Sequence, residues 1–576
     1  MLKKILAPGL ALLALGACTA GNSHALAGAP PPDTGMPGMV SAAEPLGAEA
    51  GVEMLRKGGS ATDAAIAMML TLNVVEPQSS GVGGGGFFVR GNAKGDVETI
   101  DGREAAPLAA GPDWFLDHDG KPLPFMKAVL TGLSIGVPGN VRLIALAHKR
   151  YGKLPWAELF QPAIRIAREG FPVSERLHQF LTFAKNRAGA TAEGRSLYFD
   201  ASGNPLPVGA IVKNPQLADS LENIAKKGPE WFYSGANALA IAQTASQATP
   251  HPAGMVVGDI EHYAARGRPP VCGAYRGYRI CGMGPPSSGG TTVLAILGQL
   301  ASFDMKGLGK DSPVAWHLFA ESQRLAYADR ELYLGDDDFV NVPVRGLVDP
   351  HYLAQRARLI SPDTTMQSVS AGHPPVGDAP PIAQADGDEP PEHGTTHFVA
   401  VDRWGNGVSY TSTIEGLFGS GKMVGGYFLN NELTDFSFSP EENGKPVANR
   451  VGPGKRPRSS MSPAVVYGPD GKLDLVIGAA GGATIPVQVA KALIGYIDWG
   501  LTAQQAIALP VLYSPGDTVF IEQGTSLEKM VPALKALGHA KAVARFLPIK
   551  GNAIERGPGG WNGAADPRTD GVAMSQ

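Results

Sequence analysis

The chain has 576 residues, 44% of them hydrophobic and 18% charged, which is enough apolar material for a large core and too little charge for a disordered protein. Length alone suggests about three or four domains, but large layered enzymes exceed that rule, so one compact unit is expected. A formal net charge of −4 and a sequence pI near 6.3 leave no basic stripe for a polyphosphate backbone, which excludes a nucleic-acid partner.

At the start, Lys3 and Lys4 precede an apolar run over 5–15 that is too short to cross a bilayer, so residues 1–27 read as an export signal. No later stretch is apolar enough to span. Two processing sites compete. Leu15-Gly16-Ala17-Cys18 has the form of a bacterial lipobox, with Cys18 as the lipidated first residue, whereas Ala25-Leu26-Ala27 offers ordinary secretory cleavage. The lipobox is preferred, because a cysteine rarely falls by chance at the end of such a run. Either site places the mature protein outside the cytoplasm, in the periplasm, and a lipid on Cys18 would anchor it to a membrane. Residues 28–40 read as a proline-rich tether, and the folded body opens near Ser41.

A helix pattern covers 44–57, and Ser60 with Asp63 forms a capping box for the next helix. The glycine run Gly81 to Gly86 precedes a strand at Phe87-Phe88-Val89. That order, and the missing Lys-Ser/Thr, argue against a phosphate loop. Further helices are expected over 156–169, stopped by Gly170, and over 216–226 and 314–334. Between them, Cys272 and Cys281 flank a hairpin with Arg276-Gly277 as its turn, and in an oxidising compartment a disulfide is the better reading. The triplet Asp336-Asp337-Asp338 lacks the alternating spacing of a calcium loop and reads as a solvated helix end.

Residues 372–392 are rich in proline and acids and should be extended or disordered. Order then resumes at once, with a buried strand at Phe398-Val399-Ala400-Val401, a turn over 402–407 and a returning strand over 408–413. Such a junction suits a chain that is cut there. Cutting before Thr395, in His393-Gly394-Thr395-Thr396-His397, would leave a hydroxyl and an α-amine on one residue. An α-amine has an ordinary pKa of about 7.7–8.0 and can take the hydroxyl proton near neutrality. The same hydroxyl could first attack the Gly394 carbonyl, giving an ester that water opens, with no protease involved. A Thr-Thr pair alone is an ordinary opening for a strand, so the surrounding constellation decides.

That constellation is Asn430-Asn431-Glu432-Leu433-Thr434-Asp435-Phe436, Arg456-Pro457-Arg458-Ser459-Ser460-Met461-Ser462-Pro463 and Gly478-Ala479-Ala480-Gly481-Gly482. It resembles the small subunit of γ-glutamyltransferases. Asp101-Gly102-Arg103-Glu104-Ala105-Ala106-Pro107, Val137-Pro138-Gly139, Tyr151 to Trp156 and Pro285-Pro286-Ser287-Ser288-Gly289-Gly290 are similar to the large subunit, and Asp566-Pro567-Arg568 matches near the end. The resemblance covers nearly the whole chain after residue 41, in family order.

It implies an α+β fold, the four-layer αββα sandwich of N-terminal nucleophile hydrolases, with residues 41–394 as the large subunit and 395–576 as the small one. The two would stay together as a heterodimer. Thr395 would be the nucleophile and Thr413 its hydrogen-bond partner, while Gly481 and Gly482 would turn backbone N–H groups toward the oxyanion. Arg103, Ser459 and Ser460 would hold a donor's α-carboxylate, and Glu432 and Asp435 its α-ammonium. The chemistry calls for neither cofactor nor metal.

Two departures from the family pattern stand out. Glu415 occupies a place where many members have asparagine and would strengthen the negative field there, and the lid-like stretch between Asp435 and Ser459 looks short. The leading function is release of γ-glutamyl groups from glutathione and related amides through a γ-glutamyl-Thr395 ester, with water, an amino acid or a peptide as acceptor. A glutaryl or cephalosporin acylase of the same fold is the alternative, and a catalytically silent periplasmic lipoprotein is a third reading.

Overall fold

The structure is a computed structural model that describes residues 35–247, 254–375 and 394–576. The export signal, Cys18 and most of the acidic stretch over 372–392 therefore lie outside the described residues. In chain order the strands of its two large sheets are β1 (Met39–Ala42), β2 (Gly85–Gly91), β3 (Val97–Gly102), β4 (Arg266–Arg268), β5 (Val271–Tyr275) and β6 (Tyr278–Gly282). After these come β7 (Gly394–Val401), β8 (Gly407–Glu415), β9 (Ala464–Tyr467), β10 (Leu473–Ala480), β11 (Lys550–Gly557), β12 (Gly560–Ala565) and β13 (Val572–Ser575). The first sheet runs β13-β1-β7-β8-β2-β3-β4 and the second β12-β11-β10-β9-β6-β5, antiparallel throughout.

Period-two alternation builds the layers. Phe398 and Ala400 of β7, with Val408 and Tyr410 of β8, enter one core with helices α1 (Pro45–Arg56) and α2 (Ala61–Val75). Val399 and Val401 face the other way, into a core shared with Val465, Val476 and Ile477 of the second sheet. That sheet is covered in turn by α3 (Gly289–Leu300) and α4 (Ile485–Ile497). The result is the four-layer αββα sandwich expected from the sequence. Strand β1 begins at Met39, inside the stretch read as tether, because it pairs with both β7 and β13.

Local signals set the elements around this core. Ser60 and Asp63 make both bonds of a capping box at α2. The span expected as one helix over 156–169 divides into a 3-10 turn, Trp156–Phe160, and an α-helix, Gln161–Glu169, that ends at Gly170 with φ of 100°. Arg276 and Gly277, with φ of 51° and 86°, form the tight turn between β5 and β6. This puts Cys272 opposite Cys281, and the two are joined as a disulfide.

The acidic triplet departs from the sequence reading at Asp336 alone, since Asp337 and Asp338 are exposed as expected of a solvated end. Asp336 is buried, accepting the Arg456 N–H at 2.9 Å and pairing with Arg268, which also binds Asp337 and Asp338. Arginine, not water, faces Asp336. Among the described residues no helix is long and apolar enough to cross a membrane.

Candidate active site

Strands β7 and β8 are paired in register with Thr395 opposite Thr413, so both side chains stand on the face toward the second sheet. The two hydroxyls are 3.2 Å apart, and Thr413 Oγ1 also donates to the Gly394 carbonyl at 2.7 Å. Because Thr413 has a single proton, its bond to Gly394 requires the Thr395 hydroxyl to donate to it. A third contact, from the Glu415 N–H to Thr413 Oγ1 at 2.8 Å, fixes the acceptor side. The Glu415 backbone takes φ of 71° at a register shift to make that bond. Thr395 is buried at 4% exposure.

Close packing at this strand end needs glycine. A Cβ on Gly394 would collide with Glu415 and Gly416, and one on Gly84 with the Thr413 carbonyl. Within the run Gly81 to Gly86, Gly84 and Gly86 therefore serve the close passage of chain against β8. In the second sheet, β10 ends at Ala480 and is followed by Gly481 and Gly482, with φ of 132° and 62°. A Cβ on Gly481 would strike the Pro548 carbonyl. The turn thus places backbone amides where side chains cannot sit.

Arg103, directly after β3, is the hub of a buried charge cluster. Its guanidinium pairs with both Glu432 and Asp435 and donates to the Pro457 and Arg458 carbonyls, at 3.2 and 3.0 Å. Arg103, expected to hold the donor's carboxylate, is thus paired with Glu432 and Asp435, the acids expected to hold its ammonium. Ser459 is held beside Arg103 by backbone bonds to Pro286 and Ser288, and Ser460 accepts from Arg330 at 2.7 Å.

Glu415 is buried within reach of the same cluster. Its carboxylate accepts from Asn431, and burial together with nearby Asp435 pushes it up to about 8. Both effects favour the protonated form, in which the group adds hydrogen-bonding capacity beside Asn431. Glu104 was overlooked. It is fully buried next to Arg103 and close to Glu432, and burial pushes it up to about 8. Asn431 was also overlooked, although both lie inside the quoted motifs, since nothing in a motif displays a charge state.

His397 is fully buried on the same face of β7 as Thr395. It bonds Thr411 at 2.9 Å, and burial pulls it down to about 3. The stretch between Asp435 and Ser459 folds as a small hairpin, Glu441–Glu442 against Lys445–Pro446, on the rim of a cavity of about 910 Å³. That cavity reaches Ala483, next to Gly482, and Arg330, the partner of Ser460.

A threonine at the head of an interior strand of one of two packed antiparallel sheets, with a second hydroxyl on the carbonyl before it, defines an N-terminal nucleophile hydrolase. A family model described as Gamma-glutamyltranspeptidase matches residues 47–576. The chain belongs to the gamma-glutamyltranspeptidase family. It is 36% identical over 550 residues to a glutathione hydrolase proenzyme of Bacillus subtilis strain 168, covering 94% of this chain and 92% of that one. A glutathione hydrolase proenzyme of Escherichia coli K12 is 36% identical over 584 residues, covering 97% of both. Among solved structures, a cephalosporin acylase from Bacillus halodurans aligns with a TM-score of 0.81 at 26% identity, over 94% of this chain and 96% of that one.

Proposed function

We propose that the chain cuts itself between Gly394 and Thr395 and then transfers γ-glutamyl groups from glutathione and similar amides to water or amines. One observation carries this reading: the Thr413 hydroxyl touches both the Thr395 hydroxyl and the Gly394 carbonyl. In the first step Thr395 Oγ1 bonds to the Gly394 carbonyl carbon while the peptide C–N bond breaks and its nitrogen takes the proton. Water then opens the ester, leaving a carboxylate on Gly394 and a free amine on Thr395. Fragment 395–576 supplies β7 and β8, which lie between β1 and β2 of the other fragment, so the two stay interleaved.

In turnover the Thr395 amine takes the hydroxyl proton and Oγ1 attacks the γ-carbonyl. The amides of Gly481 and Gly482 receive the oxyanion. The leaving amine departs with the proton, and water or an acceptor amine releases the γ-glutamyl group from the ester. The donor's head group fits the ion-paired cluster: its carboxylate takes Arg103, Ser459 and Ser460, while its ammonium takes Glu432 and Asp435. A zwitterion can replace the internal pairs without leaving a buried charge alone.

The acylase reading keeps every step at Thr395 and is favoured by the likeness to the Bacillus halodurans structure. The acids beside Arg103 weigh against it. The test is a denaturing gel of the purified protein alongside an assay with a chromogenic γ-glutamyl amide. An uncut yet active protein rejects the mechanism. Export with a lipid on Cys18 is part of the proposal, and soluble protein starting at Gly28 would refute the lipid.

A further inference from the structure

Thr396, next to the proposed nucleophile, points to the opposite face of β7, away from Thr413. Its hydroxyl donates to Glu76 Oε2 at 2.7 Å, and Glu76, at the C-terminal end of α2, also accepts from Lys550 Nζ at 2.7 and 2.8 Å. Thr396, Glu76 and Lys550 are 0%, 3% and 3% exposed. Burial works against the Glu76 carboxylate, yet Lys550 and Arg176 overcome it and hold the group below its ordinary value. Burial pulls Lys550 down to about 8, so the pair is still charged at neutral pH.

The contacts continue beyond Lys550. Its backbone N–H donates to Gln488 Oε1 at 3.2 Å, and Gln488 Nε2 donates to the Ala480 carbonyl and to Thr484 Oγ1, both at 2.9 Å. Ala480 and Thr484 bracket the Gly481–Gly482 turn. An unbroken series of polar contacts thus joins the start of β7 to the proposed oxyanion site.

While the chain is whole, Thr395 is held covalently on both sides. Once it is cut, Thr395 becomes a chain end, and chain ends fray unless tied down. A displacement of about 1 Å at a reacting atom costs on the order of a hundredfold in rate. We infer that Thr396, Glu76 and Lys550 form a tether that holds the new N-terminus in register after cleavage, acting as positioning residues for Thr395. The tether crosses the cut, since Glu76 precedes it and the other two follow. This rests on the reading of Thr395 as a nucleophile freed by self-cleavage.

The experiment compares Thr396→Val, which keeps the shape and loses the hydroxyl, with Thr396→Ser, which keeps the hydroxyl. Precursor cleavage is followed on denaturing gels, and kcat and KM are measured with a chromogenic γ-glutamyl amide. Thr396→Val should cut within roughly threefold of the parent rate but lose roughly tenfold in kcat at unchanged KM, as expected for one hydrogen bond to a charged group. Thr396→Ser should restore kcat. Cleavage and kcat falling together would mean a general structural role and overturn the tether, as would a change confined to KM or no change in kcat. If the parent cuts itself but ignores the γ-glutamyl amide, the donor assignment fails separately, and the same comparison with a glutaryl amide decides the tether. A parent that never cuts overturns both.

Discussion

Thr413 Oγ1 donates to the Gly394 carbonyl oxygen across 2.7 Å. A hydroxyl in that position polarises the carbonyl under attack, and with the Thr395 hydroxyl bonded to it as well, it fixes the direction of attack.

Removing that hydroxyl should therefore slow cutting. Thr413→Val is expected to lower the cleavage rate by about 10²–10³, the usual loss for one oxyanion donor, and Thr413→Ser to keep most of it. Thr395→Ala should remain uncut, because it lacks the attacking oxygen. Time-resolved gels give the rates, and N-terminal sequencing of the smaller fragment should begin Thr-Thr-His. Normal cutting by Thr413→Val would remove Thr413 from the mechanism.

Glu415 gives a pH prediction. Its folded carboxyl is raised to about 8 from an ordinary value of 4.5, so the folded state holds a proton that the unfolded chain releases. The stability this provides is fully present below about 4.5 and is lost as pH rises through about 8. Glu415→Gln removes this dependence. In the uncut Thr395→Ala background, the Tm of Glu415→Gln relative to its parent should thus climb between pH 5 and 8. A flat difference would mean that Glu415 is ionised in the fold.

The hairpin β5–β6 lies at the edge of the second sheet, whereas Thr395 belongs to the first. Its disulfide closes a short loop, so loss of the bond should cost about 2–3 kcal/mol of stability. Denaturant midpoints with and without reductant test the cost. The kcat/KM of Cys272→Ser should match the parent, and a tenfold fall would place the hairpin in the working site.

Much of this was legible because the relevant signals are local. The switch from an acidic, proline-rich stretch to the apolar run at Phe398 marks the junction, and Ser60 with Asp63 marks a helix start. Arg103 and Asp435 are 332 positions apart, and Thr396 and Glu76 are 320 apart, so their pairing depends on the way the sheets bring the strands together. The burial of Asp336 was missed for the same reason, since its partners Arg268 and Arg456 are remote in sequence. The charge on Glu415 depends on burial and on Asp435, and neither is visible in a motif.

The donor's charge gives the sharpest test of function. Arg103 is already paired with Glu432 and Asp435, and a glutaryl amide, which lacks the α-amine, brings only a carboxylate. Its carboxylate would draw Arg103 away from Glu432 and Asp435 and bring no donor to replace it. Hydrogen bonds to charged groups are worth about 1.5–3 kcal/mol, so the glutaryl amide should fall behind the γ-glutamyl amide by about one to two powers of ten in kcat/KM. Asp435→Asn, which removes one of the two acids, should narrow the gap. The measurement is kcat/KM for both amides in both proteins. Preference for the glutaryl compound would move the assignment to an acylase while leaving the Thr395 chemistry in place, and an unchanged ratio in Asp435→Asn would remove Asp435 from ammonium recognition.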